Sequence, residues 1–234
     1  MNEDKRVDLE IESEAEEKRF ESNLKLAEQG DAEAQFKVGL AYDDGVGIAE
    51  NKKEAVKWYR KAAEQDFAPA QMFLGFSYDN GVGIAENKEE AVKWYSKAAE
   101  KGLEDAQYTL GCSYANGEGV EKNIQEAIKW WTLAANQGVA EAEYNLGKMY
   151  YLGDDVEKNE EIAVNWFRKA AEHGEVEAQC CLAQCYSIGE GVNENLRGRA
   201  DRGSRLRMRG DRTERTDGAG GPSRYEGYRR RKTC

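Results

Sequence analysis

The stretch DDGVGIAENKKEAVKWYRKAAEQD, residues 43–66, decides the fold, because it returns almost unchanged as DNGVGIAENKEEAVKWYSKAAEKG at residues 79–102. The offset is 36 residues, and the same spacing runs through most of the chain. A tryptophan, a tyrosine and a loop glycine all keep it: Trp58, Trp94, Trp130 and Trp166; Tyr42, Tyr78, Tyr114, Tyr150 and Tyr186; Gly45, Gly81, Gly117, Gly153 and Gly189. Self-similarity at a fixed period is the signature of a repeat protein.

Each repeat predicts two amphipathic helices. In the first repeat, Ala34, Val38 and Tyr42 fall on one face of a first helix, while Ala55 and Trp58 lie on the apolar stripe of a second. One glycine lies inside the first helix of each of the four complete repeats, where it costs about 1 kcal/mol relative to alanine, and Ala183 replaces it in the fifth. We expect this glycine to give room to the bulky tryptophan of the second helix. The glycines are Gly39, Gly75, Gly111 and Gly147.

The loop between the two helices carries the signals that end one helix and begin the next. Gly45 and Gly47 permit the positive φ that terminates the first helix. Asn51 stands at the N-cap of the second helix, and Glu54 follows three residues later, which is the pattern of a capping box. In the fourth repeat Ile162 replaces this glutamate, so only the cap is predicted there.

One hairpin cannot bury its aromatic face alone, whereas stacked hairpins share a continuous core. The predicted fold is therefore all-α, an α-solenoid of stacked helix-turn-helix repeats with a disordered C-terminal tail. We assign residues 1–30 to an acidic segment with a capping helix, 31–194 to the repeat array and 195–234 to an Arg/Gly-rich tail. The array comprises residues 31–66, 67–102, 103–138, 139–174 and a partial repeat, 175–194.

These repeats resemble the Sel-1-like repeat family of tetratricopeptide-like α-hairpins. The motif that carries the resemblance is Ala34–Gln35, Gly39, Tyr42, Gly45-x-Gly47, Ala55, Trp58 and Ala62–Ala63, repeated in register. The resemblance implies a right-handed superhelix and adaptor roles in protein complexes. Some secreted bacterial members have a disulfide in each repeat and bind or hydrolyse penicillins. This chain has no cysteine in a second helix, so a penicillin-binding or β-lactamase-type hydrolase is a remote alternative.

The charge of the chain is unevenly distributed. The formal net charge is −11, yet residues 196–234 hold 12 Arg and 1 Lys against 3 Asp and 2 Glu. The acidic body argues against binding of nucleic acid or anionic membranes through the repeats. No stretch approaches the roughly 18 apolar residues of a membrane span. The acidic N-terminus resembles neither a secretory signal nor a transit peptide, so we expect a cytoplasmic protein.

The sequence offers no catalytic constellation, and we predict neither an enzyme, nor a cofactor, nor a metal site. The single histidine, His173, lies in the last turn of a second helix, where the helix dipole suits a cation. Asp43 and Asp44 border a loop and are expected to be solvated.

Three clustered cysteines, Cys180, Cys181 and Cys185, lack the spacing of a structural zinc site. Cys180 aligns with Phe36 and Met72 at a packing position, so we expect it to be a buried thiol that acts as a small hydrophobe.

Binding positions should vary between repeats, whereas framework positions recur. Four rows of the first helices vary most, and their i, i+3, i+4, i+7 spacing places them on one helical face. We call this face the variable stripe and name each row by its first residue. The Lys37 row is Lys37, Phe73, Thr109, Asn145 and Cys181, and the Leu40 row is Leu40, Phe76, Cys112, Lys148 and Gln184. The other two begin at Ala41 and Asp44 and pass through Met149 and Leu152.

We predict that the Lys37 and Leu40 rows bind other proteins or peptides on the concave face. Phe73 and Phe76 would be exposed aromatic anchors beside Leu40, since aromatic residues dominate interface hot spots. The alternative is that both phenylalanines fill gaps between repeats. The acidic body favours a basic or amphipathic partner.

The repeat pattern stops at Asn195. Arg199, Arg202 and Leu206 stand where Ala, Trp and Ala are expected. The tail is either a non-homologous, disordered end, as a reading-frame or gene-model error would produce, or an arm that binds RNA or an acidic partner. The leading hypothesis is a non-catalytic scaffold, and binding of RNA or an acidic partner through the tail is the alternative.

Overall fold

The chain folds into helices throughout the part that the structure, a computed structural model, describes: residues 3–153, 155–189 and 191, with side chains from residue 13 onward. These residues form ten α-helices and no strand. The helices are α1 (Glu3–Glu28), α2 (Ala32–Asp44), α3 (Lys52–Glu64), α4 (Ala68–Asn80), α5 (Lys88–Glu100), α6 (Glu104–Asn116), α7 (Ile124–Ala135), α8 (Ala140–Leu152), α9 (Glu160–Glu172) and α10 (Val176–Ile188). The even-numbered helices are the first helices of the repeats.

The chain divides into two compact units, residues 1–122 and 123–234. In the first unit, each of the helices α1 to α5 packs against the helix that follows it. In the second unit, α7 packs on α8, α8 on α9, and α9 on α10. Packing between consecutive helices is the arrangement of an α-solenoid, so the predicted fold class is confirmed. The predicted tail, residues 195–234, lies outside the described residues.

Asparagine caps begin the second helices, as the sequence predicts. Asn51 Oδ1 accepts a hydrogen bond of 3.2 Å from the backbone N–H of Glu54. In the fourth repeat, Asn159 Oδ1 accepts a bond of 3.0 Å from the N–H of Ile162. The cap therefore persists without the glutamate, because the asparagine alone satisfies the exposed backbone donor.

In the first, second and fourth repeats, the glycine inside the first helix makes room for an aromatic ring, but that ring is not the predicted tryptophan. A methyl group on the glycine would lie 2.6–2.7 Å from ring carbons of the residue that follows the tryptophan. Trp58 is only partly buried, whereas Tyr59 is 1% exposed. The tryptophan prediction was wrong by one position along the helix. The observed pairs are Gly39 with Tyr59, Gly75 with Tyr95 and Gly147 with Phe167.

Where a loop has a second glycine, that glycine packs against the backbone of the preceding second helix or of α1. A methyl group on Gly83 would lie 2.2 Å from the carbonyl oxygen of Lys52, and one on Gly47 would lie 2.5 Å from that of Glu16. Glu16 precedes Lys52 by 36 residues. Helix α1 therefore stands where a second helix would stand in front of the first repeat, and its Phe20 helps to cover the inner face of α2.

Candidate partner-binding surface

The Lys37 row of the variable stripe is mostly buried. Phe73, Thr109 and Asn145 are 3%, 6% and 7% exposed. Cys181 is partly buried, and Lys37 at the N-terminal end is exposed. Most of this row therefore lies inside the fold and is not available to a partner.

Phe73 is a core residue and not an exposed anchor. The centroid of its ring lies 5.2 Å from that of Phe36 and 5.3 Å from that of Tyr59. Both neighbours belong to the preceding repeat, so Phe73 fills the gap between the first and second repeats. For Phe73 the alternative interpretation is correct, and the expectation of an exposed aromatic was wrong. Burial of such a ring stabilises the fold by about 1.5–3 kcal/mol.

The Leu40 row is more accessible than the Lys37 row. Leu40 and Phe76 are partly buried, and Lys148 and Gln184 are exposed. Cys112, in the middle of the row, is 0% exposed. Burial therefore removes four of the predicted residues from the surface: Phe73, Thr109, Cys112 and Asn145.

The Asp44 row is the most exposed part of the variable stripe. In the first unit it holds the exposed polar residues Asp44, Asn80 and Asn116. In the second unit it holds Leu152 and Ile188, which are 50% and 53% exposed. The row thus changes from polar to apolar between the units. Sequence reasoning named Leu152 but missed Ile188, which the 36-residue offset would have found.

Leu152 and Ile188 each have an exposed polar residue one helical turn earlier, Lys148 on α8 and Gln184 on α10. We call these four residues the second-unit surface. The loop after α8 adds the exposed acidic residues Asp155 and Glu157 to its surroundings, so exposed acid groups follow Leu152 closely in the chain.

Two acidic residues beside the loops are buried rather than solvated. Asp43 and Asp79 are 7% and 5% exposed, which corrects the prediction for Asp43, whereas Asp44 is exposed as expected. Asp79 Oδ1 lies 2.9 Å from Lys88 Nζ, and Asp79 Oδ2 accepts a hydrogen bond of 3.3 Å from the hydroxyl of Tyr95. Asp43 makes the equivalent two contacts in the first repeat.

The charge states of this network are fixed by its surroundings. Burial, and then the charge of Asp79, raises the pKa of the Tyr95 phenol well above its ordinary value. Burial lowers the pKa of Lys88, but the hydrogen bond and charge of Asp79 outweigh it, and the pKa is raised. The phenol stays protonated and the amine stays charged near neutral pH, so the network is structural.

In the third and fourth repeats, both the acid and the tyrosine of this network are replaced. Ala115 and Trp131 stand at the positions of Asp79 and Tyr95 in the third repeat, and Tyr151 and Phe167 stand there in the fourth. A buried carboxylate is tolerated only where its partners are present, which explains why the acid and the phenol disappear together.

His173 has a structural partner in the described part of the chain. Its Nδ1 lies 2.8 Å from Oε2 of Glu143, which is 1% exposed. In the first repeat the equivalent positions hold two amides, and Gln65 Nε2 donates to Gln35 Oε1 at 2.8 Å. The fourth repeat has replaced a neutral amide pair by an acid–imidazole pair, which goes beyond the helix-dipole role predicted for His173.

Two acidic residues, Glu175 and Glu177, lie at the N-terminal end of α10. A hydrogen bond with Glu177, together with burial and the charge of Glu177, raises the pKa of the Glu175 carboxyl to about 7. The same hydrogen bond lowers the pKa of Glu177. Below a pH of about 7 the protonated Glu175 carboxyl can therefore donate this hydrogen bond to the Glu177 carboxylate.

The clustered cysteines differ from the prediction in their burial. Cys180 is an exposed free thiol, Cys181 is partly buried and Cys185 is buried. Cys180 is therefore not the buried hydrophobe that its alignment with Phe36 predicts. Within the described residues, no group of three or more His, Cys, Asp or Glu side chains is arranged to hold a metal ion. No described helix is long and apolar enough to cross a membrane.

Comparison with known proteins places these repeats in a family. The model of the Sel1 repeat matches residues 32–67, 68–103, 104–139, 140–175 and 176–197. Proteins of this family are generally non-catalytic scaffolds for protein interactions. A comparison with curated proteins found no significant match.

The solved structures that are similar to this chain include two repeat proteins of bacterial origin. A Sel1 repeat protein from Oxalobacter formigenes is 42% identical over 70% of this chain and 66% of its own, with a TM-score of 0.67. The protein c5321, a protective antigen of uropathogenic Escherichia coli strains with an SLR fold, is 38% identical over 80% of this chain and 41% of its own, with a TM-score of 0.73. The present chain thus spans less than half the length of the second. The repeats, their packing and these similarities show that the chain belongs to the Sel1 repeat family.

Proposed function

We propose that this protein is a non-catalytic scaffold that binds another protein through the second-unit surface. The main support for this proposal is that the Asp44 row changes from polar residues in the first unit to apolar residues in the second. Leu152 and Ile188 are half exposed at a position where the first unit holds only polar residues. Exposed apolar area that is rimmed by polar residues marks protein interaction sites, and Lys148 and Gln184 supply polar neighbours here.

The surroundings of these residues favour a basic or amphipathic partner. Asp155 and Glu157 are exposed in the loop that follows Leu152, and acidic groups around an apolar contact attract basic residues and fix the register of a complex. Lys37, Leu40 and Phe76 remain accessible to different degrees on the first unit and offer a second contact area.

The family and the chemistry of the described residues both support a role without catalysis. The buried carboxylate of Asp79 is paired with Lys88 and Tyr95, and His173 is paired with the buried carboxylate of Glu143. None of these groups is offered to a substrate, because each one stabilises the fold.

The test is affinity capture with the wild-type chain, identification of partners by mass spectrometry, and a second capture with the double variant Leu152→Asn/Ile188→Asn. Asparagine is the natural residue of this row in the second and third repeats, Asn80 and Asn116. The fold therefore tolerates it, and the thermal midpoint should change little. The double variant is expected to lose the partners that the wild type captures.

Leu133→Asn is the matched control, because Leu133 is a 41% exposed leucine in the second unit that lies on α7, outside the variable stripe. If the control variant loses the same partners, or the double variant keeps them all, the second-unit surface is not the binding site.

A further inference from the structure

The chain leaves α10 in the same geometry that leads into a second helix in the earlier repeats. Gly189 ends α10 with φ 79°, as Gly81 ends α4 with φ 66°. A methyl group on Gly191 would lie 2.2 Å from the carbonyl oxygen of Glu160. Gly83 approaches the preceding repeat in the same way, so Gly189 and Gly191 match the loop glycines of the complete hairpins.

Three positions of a first helix face the second helix of the same repeat. In the first repeat they are Phe36, Gly39 and Asp43, and all three meet Tyr59. The two ring centroids are 5.8 Å apart, the Asp43 carboxylate is 3.3 Å from the tyrosine hydroxyl, and Gly39 has no room for a methyl group. All three residues are buried.

In α10 the equivalent residues are Cys180, Ala183 and Ser187, and all three are exposed. We call them the open face. The described part of the chain contains no second helix of the fifth repeat, and the exposure of these three residues is the effect expected. Ile188 is a different case, because its row is exposed even in repeats that have both helices.

The opposite face of α10 packs against α9. Ala178 and Cys185 are 0% and 2% exposed and form a core cluster with Val164 and Phe167 of α9. Leu182 packs against this cluster and is partly buried. The open face is thus continuous with an established helix–helix interface and belongs to a helix that is already docked.

The sequence that follows lacks the residues that make these contacts in the complete repeats. Asn195 aligns with the helix caps, but Arg199 then stands at the position of Ala55 and Gly203 at that of Tyr59. The alanines at the first of these positions are 0–1% exposed in every repeat, which leaves no room for an unpaired guanidinium. A glycine also provides no ring to cover the face.

We propose that the open face binds an amphipathic helix of another protein, which completes the fifth hairpin in the place of its second helix. The partner helix carries a small residue, a bulky apolar residue four positions later and two small residues after that. This is the pattern of Ala91, Tyr95, Ala98 and Ala99 in α5, all of which are 0–1% exposed.

Two of the differences between the open face and the equivalent face of α2 set where the bulky residue of the partner helix lies. Ala183 replaces the usual glycine, and its methyl group takes the space in which the ring of Tyr59 lies against Gly39. Cys180 replaces Phe36 one turn earlier and is much smaller. The bulky partner residue therefore lies over Cys180, displaced from Ala183.

The test uses the full chain and a fluorescent peptide with the sequence of residues 87–102, which carries this pattern, in a titration followed by anisotropy. Saturable binding is expected. Ala183→Glu should weaken it by about tenfold or more, because a charge would be buried without a partner. Ala183→Gly should strengthen it, because it restores the space for Tyr95 of the peptide. Asn165→Glu, which adds the same charge at an exposed site on α9, is the matched control.

The thiol of Cys180 reports on the occupant of the open face. Its alkylation, followed by mass spectrometry, should be fast in the free chain and slow with the peptide bound. Protection in the free chain at every concentration would assign the face to the chain's own downstream residues. Protection that grows with protein concentration would assign it to a second copy.

Either pattern of protection in the free chain overturns the proposal. So does the absence of peptide binding, or equal binding to Ala183→Glu and Asn165→Glu. The Leu152→Asn/Ile188→Asn variant should bind the peptide as the wild type does, so failure of this inference and failure of the proposed function can be told apart.

Discussion

Replacement of Gly75 by alanine tests the packing of the hairpins most directly. The residue lies inside α4, where alanine is favoured over glycine by about 1 kcal/mol from helix propensity alone. The structure predicts the opposite outcome. The new methyl group would lie 2.7 Å from Cδ1 and Cε1 of Tyr95 and 3.3 Å from the carbonyl oxygen of Ala91.

The size of the effect follows from the surroundings of Tyr95. Carbon atoms in contact prefer about 3.5–4.0 Å, so the ring must move by roughly 1 Å. The ring is 1% exposed, and its hydroxyl donates to Asp79 at 3.3 Å. Overpacking costs about 1–3 kcal/mol, and a hydrogen bond to a charged group contributes about 1.5–3 kcal/mol. The free energy of unfolding should therefore fall by about 1–3 kcal/mol in spite of the better helix former.

Urea denaturation followed by far-UV circular dichroism measures this change. The sign should reverse in a chain that also carries Tyr95→Ala, because the ring is gone and the methyl group fills part of the cavity. There Gly75→Ala should stabilise by about 1 kcal/mol. Ala41→Gly, at a partly buried site on α2, calibrates the propensity. A stabilising Gly75→Ala in the wild-type chain, or the same loss in both backgrounds, would refute the account of this glycine.

Three further predictions concern single contacts. His173→Ala should destabilise the second unit by about 1–3 kcal/mol, because it removes the 2.8 Å partner of the buried Glu143 carboxylate. The double variant Glu143→Gln/His173→Gln should recover most of the lost stability, because it restores the amide pair of the first repeat. If urea denaturation shows no recovery, His173 does not act as the partner of Glu143. Because the pKa of Glu175 is raised to about 7 by the proton shared with Glu177, the stability from that proton is present in acid and is lost as the pH rises through about 7. The thermal midpoint should therefore fall between pH 5.5 and 8, and fall less in Glu175→Gln; equal slopes would exclude the pair as the cause. Asn87→Ala should cost about 1 kcal/mol in urea denaturation, since Asn87 Oδ1 caps α5 at 2.9 Å, and an unchanged urea midpoint would mean that the cap contributes nothing.

The periodic pattern predicted the helices and their ends well, because these depend on neighbours in the chain. Asn51 caps its helix, and Gly45 adopts the left-handed conformation, with φ 69°. The same pattern was less able to tell which side chain fills a gap. The tryptophan and the tyrosine after it both lie on the apolar stripe, and only the position of the facing Gly39 selects Tyr59.

The candidate surface was predicted less well for the same reason. Variation between repeats marks residues that contact a partner, but it also marks residues that adapt to the next repeat. Phe73 varies because it packs on Phe36 of the preceding repeat. Asp43 borders a loop in the sequence, yet it is buried by Lys52 and Tyr59, which come from the next helix.

The sequence by itself determined the 36-residue unit, the two helices of each repeat, the caps and the family, since all of these follow from short-range pattern and periodicity. Only the tertiary structure decided which of the repeated positions lie inside. Phe36 and Cys180 occupy the same place in the repeat, yet one is 7% exposed and the other is exposed. The physical reason is that burial of this position depends on the second helix of the same repeat. Helix α3 covers Phe36 of α2, whereas the described part of the chain contains no second helix of the fifth repeat to cover Cys180.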